Sequence, residues 1–284
     1  MPSMRLCANT SCLAERGAEA AVRTIAGLGY AAVEFLVTST LMPEDTPPGR
    51  RRALRALCQD LGMSVAGTNG VLPAAGYRFL VAHERERRNG IDQVKRVIDL
   101  CADLGGEIVT VGSTGARNIP EGMADDIWLP RALSAYREWC EYAGPRGVRV
   151  TVEIINRYEA NWGRTVAEGL AFLAAAGHPK LGMTLDTFHM SIEEGRFTEA
   201  VAAGGEHILH VHTADSNRQA PGAGNLAFRP LLTALRDSGY GGYLSLELFD
   251  PWWGIRLQPP PEEALRLGYI TMQRELALLY HEGG

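Results

Sequence analysis

The chain has 284 residues, 46% of them hydrophobic and 21% charged, with a net charge of −5 at pH 7 and a pI of about 5.8. That length can bury a sizeable core, in one α/β barrel or in two smaller domains. No apolar run reaches the ~20 residues of a membrane helix, and the acidic balance disfavours a nucleic-acid backbone as partner.

In chain order, short β-rich runs alternate with longer amphipathic stretches, and no linker or low-complexity segment interrupts them. The first strand is read at Arg5 to Ala8, with a helix from about Ala18 to Leu28 stopped by Gly29. The second is Ala32 to Leu36, followed by a helix near Pro48 to Leu61, on which Arg50, Arg51, Arg52 and Arg55 make a solvated face. Strand three is Met63 to Gly67 with a helix from Glu84 to Leu104; strand four is Glu107 to Val111 with a helix near Asp125 to Ala143. The pairs Gly105-Gly106 and Gly144-Pro145 are stop signals. Strands five to eight are Arg149 to Ile155, Leu181 to Leu185, Ile208 to His212 and Tyr243 to Leu248, and a last helix runs from Glu262 to Tyr280. Eight strands alternating with helices predict an α/β fold, a single (β/α)8 barrel over residues 1–284; a doubly wound sheet would want an early GxGxxG turn, which is lacking.

Within VTVEIINRYE, Glu153 stands in a β-branched run where a lone carboxylate is costly. Taken alone it is either a core ion pair or a functional group. Three further residues decide between these. Asp186 ends strand six, His212 ends strand seven and Glu247 lies near the end of strand eight, each about one βα unit from the one before. On a barrel, polar side chains at the C-terminal strand ends converge at one mouth. Two Glu, one Asp and one His make a mixed oxygen and nitrogen set for a divalent ion: Mn²⁺ suits it best, Mg²⁺ and Co²⁺ remain open, and a structural zinc site is disfavoured because no Cys joins the set.

The motifs VEIINRYE, LDTFHM, HVHTADSNRQAPGAG and LSLEL, in that order and spacing, resemble the xylose-isomerase-like barrels, most closely the ketose 3-epimerases of the D-tagatose and D-psicose (allulose) type. The likeness spans nearly the whole chain. It implies that Glu153, Asp186, His212 and Glu247 hold one metal, and that Glu153 and Glu247 exchange a proton with the substrate carbon. By the same likeness Glu159, His189 and Arg218 contact a free sugar near that carbon, and the protein is a homo-oligomer, a dimer or tetramer. The chemistry is coherent: inverting a carbon beside a ketone requires removing its proton on one face and returning one on the other, which two opposed carboxylates can do.

Each accessory residue has a plainer alternative. His189 could cap the next helix, Arg218 sits in a Pro/Gly-rich loop, and Glu34 either orients a ligand or forms an ion pair. His210 shares a strand face with His212, which favours a supporting role. Trp162 is a candidate cover for the site, and Trp252 and Trp253 are read as a loop core or subunit contact.

The family's aromatic residues from the first and fourth strand loops have no counterpart in LCANTSCL and VTVGSTGARN, so a wider, more polar pocket lined by Cys7, Asn9, Ser113 or Thr114 is expected. Related isomerases, keto-inositol dehydratases and keto-glycoside lyases begin with the same proton abstraction. A DNA-repair endonuclease of this barrel class needs extra His ligands in strands three and four, which GTNG and TVGS lack, and a non-enzymatic sugar binder has no need of paired Glu at a metal. Five cysteines without CxxC spacing, and an N-terminus without an apolar leader, fit free thiols and a cytoplasmic location.

Overall fold

The computed structural model describes residues 3–37, 41–72, 77–251, 254 and 256–281. Eight parallel strands form a closed barrel in sequence order: β1 (Arg5–Asn9), β2 (Ala32–Leu36), β3 (Ser64–Asn69), β4 (Ile108–Val111), β5 (Arg149–Glu153), β6 (Leu181–Asp186), β7 (Ile208–Thr213) and β8 (Tyr243–Leu246). Closure is made by β1 against β8, with Leu6 opposite Leu244. The helices are α1 (Ala18–Gly27), α2 (Pro48–Asp60), α3 (Glu84–Leu104), α4 (Thr114–Arg117), α5 (Asp125–Ala143), α6 (Val166–Ala176), α7 (Thr187–Glu193), α8 (Phe197–Gly204), α9 (Phe228–Asp237) and α10 (Pro261–His281). The expected barrel is therefore present. The strands end slightly differently from the sequence reading, with β5 closing at Glu153, β6 extending to Asp186 and β8 stopping one residue before Glu247. Two short helices, α4 and α7, sit just past strand ends and carry polar side chains back over the mouth.

Alternation along the strands separates two environments. Val109, Val111, Val150, Val152 and Leu185 belong to the main apolar core, which the helices cover. The intervening residues fill the barrel in layers: Cys7, Ala32, Ala66 and Tyr243 cluster near its floor. Above them the hydroxyls of Thr110, Thr151 and Thr184 form a closed triangle of 2.7–3.2 Å contacts, each satisfying the others where water cannot reach. One step further along the same strands stand Glu153 and Asp186, two residues past Thr151 and Thr184. His212 and Glu247 stand two past His210 and Ser245. The period of two thus lifts each functional residue onto the layer that opens at the mouth.

β3 breaks the period. Its register against β2 shifts so that Glu34 faces Gly67, leaving Ala66 as the extra residue of a bulge. Beyond the bulge the phase is displaced by one, and Asn69, instead of Thr68, turns towards the site, where it bonds Glu247. Gly67 also lets β3 approach β4, since a Cβ there would overlap the Ile108 carbonyl. The Gly67→Ala variant should therefore lose about 1–3 kcal/mol from overpacking, read as a lowered urea midpoint; an unchanged midpoint would show that the two strands can separate freely.

Candidate active site

One ligand atom from each of Glu153, Asp186, His212 and Glu247 lies within 4.8 Å of the others, and all four side chains are buried. The imidazole of His212 stands between two sets of carboxylates. Its Nδ1 is 3.0 Å from Glu153 Oε1 and 3.6 Å from Glu247 Oε2. Its Nε2 is 3.2 Å and 3.1 Å from the two oxygens of Glu34. Glu34 also accepts from Asn9 Nδ2 at 3.0 Å and from Ser245 Oγ at 2.7 Å, and it lies 3.3 Å from His210 Nε2. Glu34 thus holds the far nitrogen of His212 and leaves Nδ1 pointed at the mouth, which fixes ring orientation and tautomer.

Asp186 does two things. Its Oδ1 caps α7, accepting from the Phe188 N–H at 2.7 Å and the His189 N–H at 3.3 Å, while Oδ2 accepts from Arg218 Nη1 at 2.6 Å. The cap of α7 is therefore Asp186, which frees His189 from that alternative. Arg218 also donates Nη2 to Glu247 Oε2 at 2.5 Å. Its backbone sits at φ 60, the one positive φ outside glycine among the described residues, in a turn closed by Arg218 N to Asp215 O at 2.9 Å and Asp215 N to Gln219 O at 2.8 Å. A left-handed Arg is uncommon and costs of order 1–3 kcal/mol, which the buried ion pairs offset.

Asn156, on the residue after Ile155, ties together two of the remaining groups. Its Nδ2 is 2.6 Å from His189 Nδ1 and 3.1 Å from Glu159 Oε1, and His189 Nδ1 lies 3.8 Å from Glu159. Arg117, fully buried on α4, donates to the backbone carbonyls of Glu153 at 2.6 Å and Trp162 at 2.9 Å and lies over the Trp162 ring at 4.4 Å. Neither Asn156 nor Arg117 stands out in sequence, although Asn156 follows the rule of polar groups just past strand ends. A cavity of about 180 Å³ opens onto these residues, lined by Asn69, Ser113, Thr114, Glu153, Glu159, His189, Arg218 and Glu247 with apolar walls from Leu36, Ile155 and Phe249.

Several expectations need correction. Cys7 is buried among Ala32, Ala66 and Tyr243 on the floor of the barrel, and Asn9 is spent on Glu34, so neither lines the cavity. Trp162 packs behind the site against Arg117, Trp128 and Phe172 and does not cover it. The aromatic wall comes from Phe249, beyond β8. Trp252 and Trp253 lie outside the described residues.

Charge decides how the site works. Burial, with Glu153 and Asp186 close by, pushes Glu247 up to about 8 against the pull of His212 and Arg218. Burial opposes the charge on His212, yet Glu247, Glu34 and Glu153 together hold its proton well above the usual histidine range. Burial likewise opposes ionisation of Asp186 and Glu34, but Arg218 and the histidines outweigh it and hold both below the ordinary carboxylate range. Burial lowers His189 to about 4, so it is neutral at pH 7, and raises Glu159.

The donor set fits a divalent cation: three carboxylates and one imidazole nitrogen face a single point. A cation there would replace the His212 Nδ1 proton while Nε2–H still donates to Glu34.

A model of the family described as "Xylose isomerase-like TIM barrel" matches residues 22–270. An L-ribulose 3-epimerase of Mesorhizobium japonicum is 34% identical over 228 residues, 80% of this chain and 75% of that protein. A D-psicose 3-epimerase of Agrobacterium fabrum is 38% identical over 119 residues, 42% of this chain and 41% of that protein, so the match spans less than half of that relative's length. A solved L-ribulose 3-epimerase superposes with a TM-score of 0.85 at 27% identity, covering 99% of this chain and 97% of the other. A D-psicose 3-epimerase solved in the presence of D-fructose gives 0.86 at 22% identity over 96% and 99%, a likeness of fold.

Two outcomes test the electrostatics. Glu247 and His212 hold protons more tightly folded than unfolded, so between pH 6.5 and about 8 the metal-free chain binds more protons folded and its stability falls as pH rises. The lowered Asp186 and Glu34 act only in acid, and His189 no longer titrates above that window's lower edge. Melting temperature should decline across this window in EDTA and stay level with Mn²⁺; a level profile in EDTA would contradict the assigned shifts. Asp186→Asn keeps an oxygen for the α7 cap but removes a carboxylate from the candidate metal set and the charge that meets Arg218, so calorimetry should find weaker Mn²⁺ binding and the melting temperature should fall, whereas Asp186→Ala should lose about 1 kcal/mol more through the cap.

Proposed function

The chain belongs to the xylose isomerase-like TIM barrel family, and on that premise we propose that it is a metal-dependent ketose 3-epimerase acting on free sugars. The observation that carries the proposal is the pair Glu153 and Glu247, both buried, both within reach of one metal-binding point, and both facing a cavity that also holds a buried Arg. A small ketose matches such a cavity, and the relatives named as L-ribulose and D-psicose 3-epimerases point to the same substrate class.

In this scheme Glu153, Asp186, His212 and Glu247 would hold a divalent cation, Mn²⁺ by preference, with Co²⁺ and Mg²⁺ as alternatives. When bound, the cation supplies Lewis acidity to the ketose carbonyl and its neighbouring hydroxyl. Glu153 or Glu247 takes the C3 proton, the C–H electron pair moves into an enediolate, and the opposed Glu returns a proton on the other face. Each Glu would keep one carboxylate oxygen for the proton while the other helps to hold the cation. Arg218 offers a fixed positive charge beside the developing oxyanion. His189, neutral at pH 7, acts as a hydrogen-bonding group set by Asn156, and Glu159 shares that bond. The apolar walls of Leu36, Ile155 and Phe249 exclude water from the reacting carbon.

No described helix is long and apolar enough to cross a membrane. Five buried free thiols support a reducing, cytoplasmic setting. The whole barrel serves as one catalytic unit in this reading, and a homo-oligomer is carried over from the family likeness.

The test is incubation of a ketopentose or ketohexose with Mn²⁺-loaded protein in D₂O. The C3 epimer should form with solvent deuterium at C3, and EDTA should abolish it. Label without net epimer would leave proton abstraction in place and favour a dehydratase or lyase outcome; no exchange from a broad panel of ketoses would end the enolisation reading. Glu153→Gln and Glu247→Gln keep shape but lose the base, and each should cut turnover by at least the ~10²-fold typical of general acid–base help. Near-normal turnover in either would remove that Glu from the proton path.

A further inference from the structure

We propose that Asn69 is a positioning residue for proton transfer: its carboxamide holds the working oxygen of Glu247, while among the described residues the working oxygen of Glu153 has no such partner. This rests on the ketose 3-epimerase reading. The two oxygens of Glu247 are divided between two tasks. Oε2 takes Arg218 Nη2 at 2.5 Å and lies 3.6 Å from His212 Nδ1, on the side where a cation would bind. Oε1 accepts from Asn69 Nδ2, with both side chains buried. A carboxylate committed to a cation through one oxygen exchanges protons through the other, and for Glu247 that other oxygen is the one Asn69 holds.

Glu153 is arranged differently. Its Oε1 lies 3.0 Å from His212 Nδ1. Its Oε2 extends over Gly112, where a Cβ would overlap it, and among the described residues it accepts no hydrogen bond. The room for that oxygen is a glycine's missing side chain, and no described residue donates a hydrogen bond that would fix its direction.

An amide suits the role because it serves both states of its partner. Nδ2–H donates to the Glu247 carboxylate. When Oε1 has taken the substrate's C3 proton, a turn of the carboxamide presents Oδ1 as acceptor to the new O–H. Among the described residues Asn69 Oδ1 is buried without a hydrogen-bond partner, so that turn exchanges the Nδ2–H bond to Glu247 for one to Oδ1 and breaks no other. Glu153 then delivers a proton to C3 on the other face, Glu247 gives up the proton it took and Glu153 regains one by exchange with water before the next turnover, and the amide turns back, so no proton is gained or lost by Asn69.

The bulge in β3 is what makes this possible, since without the extra residue Asn69 would face α3.

The test uses Mn²⁺-loaded wild type, Asn69→Ala and the isosteric Asn69→Asp in D₂O, with L-ribulose and its C3 epimer as the two starting sugars. Melting curves and Mn²⁺ calorimetry check that each variant folds and binds metal, and Asn69→Ser replaces any that does not fold. Turnover should fall roughly 10- to 100-fold, below the full loss of a general base, with KM changed by less than about threefold. Turnover must fall together in the two directions, because the overall equilibrium is fixed. The distinguishing readout is deuterium in recovered starting sugar relative to product. For the epimer whose proton Glu153 removes, that ratio should rise, because return from Glu153 outpaces delivery from Glu247. For the other epimer it should fall. Unchanged turnover, or a loss that leaves both ratios as in wild type, would overturn the role of Asn69 while leaving the epimerase reading intact. A wild type that epimerises neither sugar nor any other ketose would remove both.

Discussion

Three buried carboxylates converge on one point at the mouth of the barrel, and the rest of the site is organised by the need to balance them. Two cations stand among them, Arg218 bridging Asp186 and Glu247 and the raised His212 facing Glu153 and Glu247. Such a cluster is costly to bury unless every charge is met. Here the charges are matched only in part, as the elevated Glu247 shows. A divalent cation would remedy the imbalance by displacing protons from His212 and Glu247, so metal affinity and proton affinity are two expressions of the same field.

The supports of that cluster reach well beyond its four side chains. Glu34, fixed by Asn9 and Ser245, aims His212 from below. The Asp186 carboxylate couples the site to α7, so the helix that carries His189 starts from a side chain of the cluster. On the other flank, Arg117 ties the carbonyl of Glu153 to that of Trp162, and Asn118 donates to the Glu159 carbonyl at 2.8 Å, which fastens α4 to the loop after β5. These bonds are made to backbone, so they set where the chain ends point rather than what the side chains are. The bonds formed by side chains that face the cavity then decide chemistry.

The fold was legible because βα alternation is a local property. Composition, stop signals and strand runs are each read from a few neighbouring residues, and they gave eight strands in the observed order. The four clustered side chains were legible for a related reason: Glu153, Asp186, His212 and Glu247 each lie at a strand's C-terminal end, where barrel geometry alone brings side chains together.

What only the tertiary structure decided depends on phase and on contacts between distant segments. The bulge in β3 moves Asn69 into the site against the simple alternation, and no local pattern in GTNG announces that shift. Trp162 has the same composition whether it covers a pocket or backs one, and its place was settled by the buried Arg117 on a helix about 45 residues away. Cys7 and Asn9 share a strand face but belong to different layers, one on the floor and one beneath the carboxylate cluster, because depth in a barrel follows from register with β2 and β8. By itself the sequence determined which strands exist and which of their ends carry charge, since both are written in nearest neighbours; the tertiary structure decided which side chain meets which, since hydrogen bonds across the barrel join residues that the chain keeps tens or hundreds of positions apart.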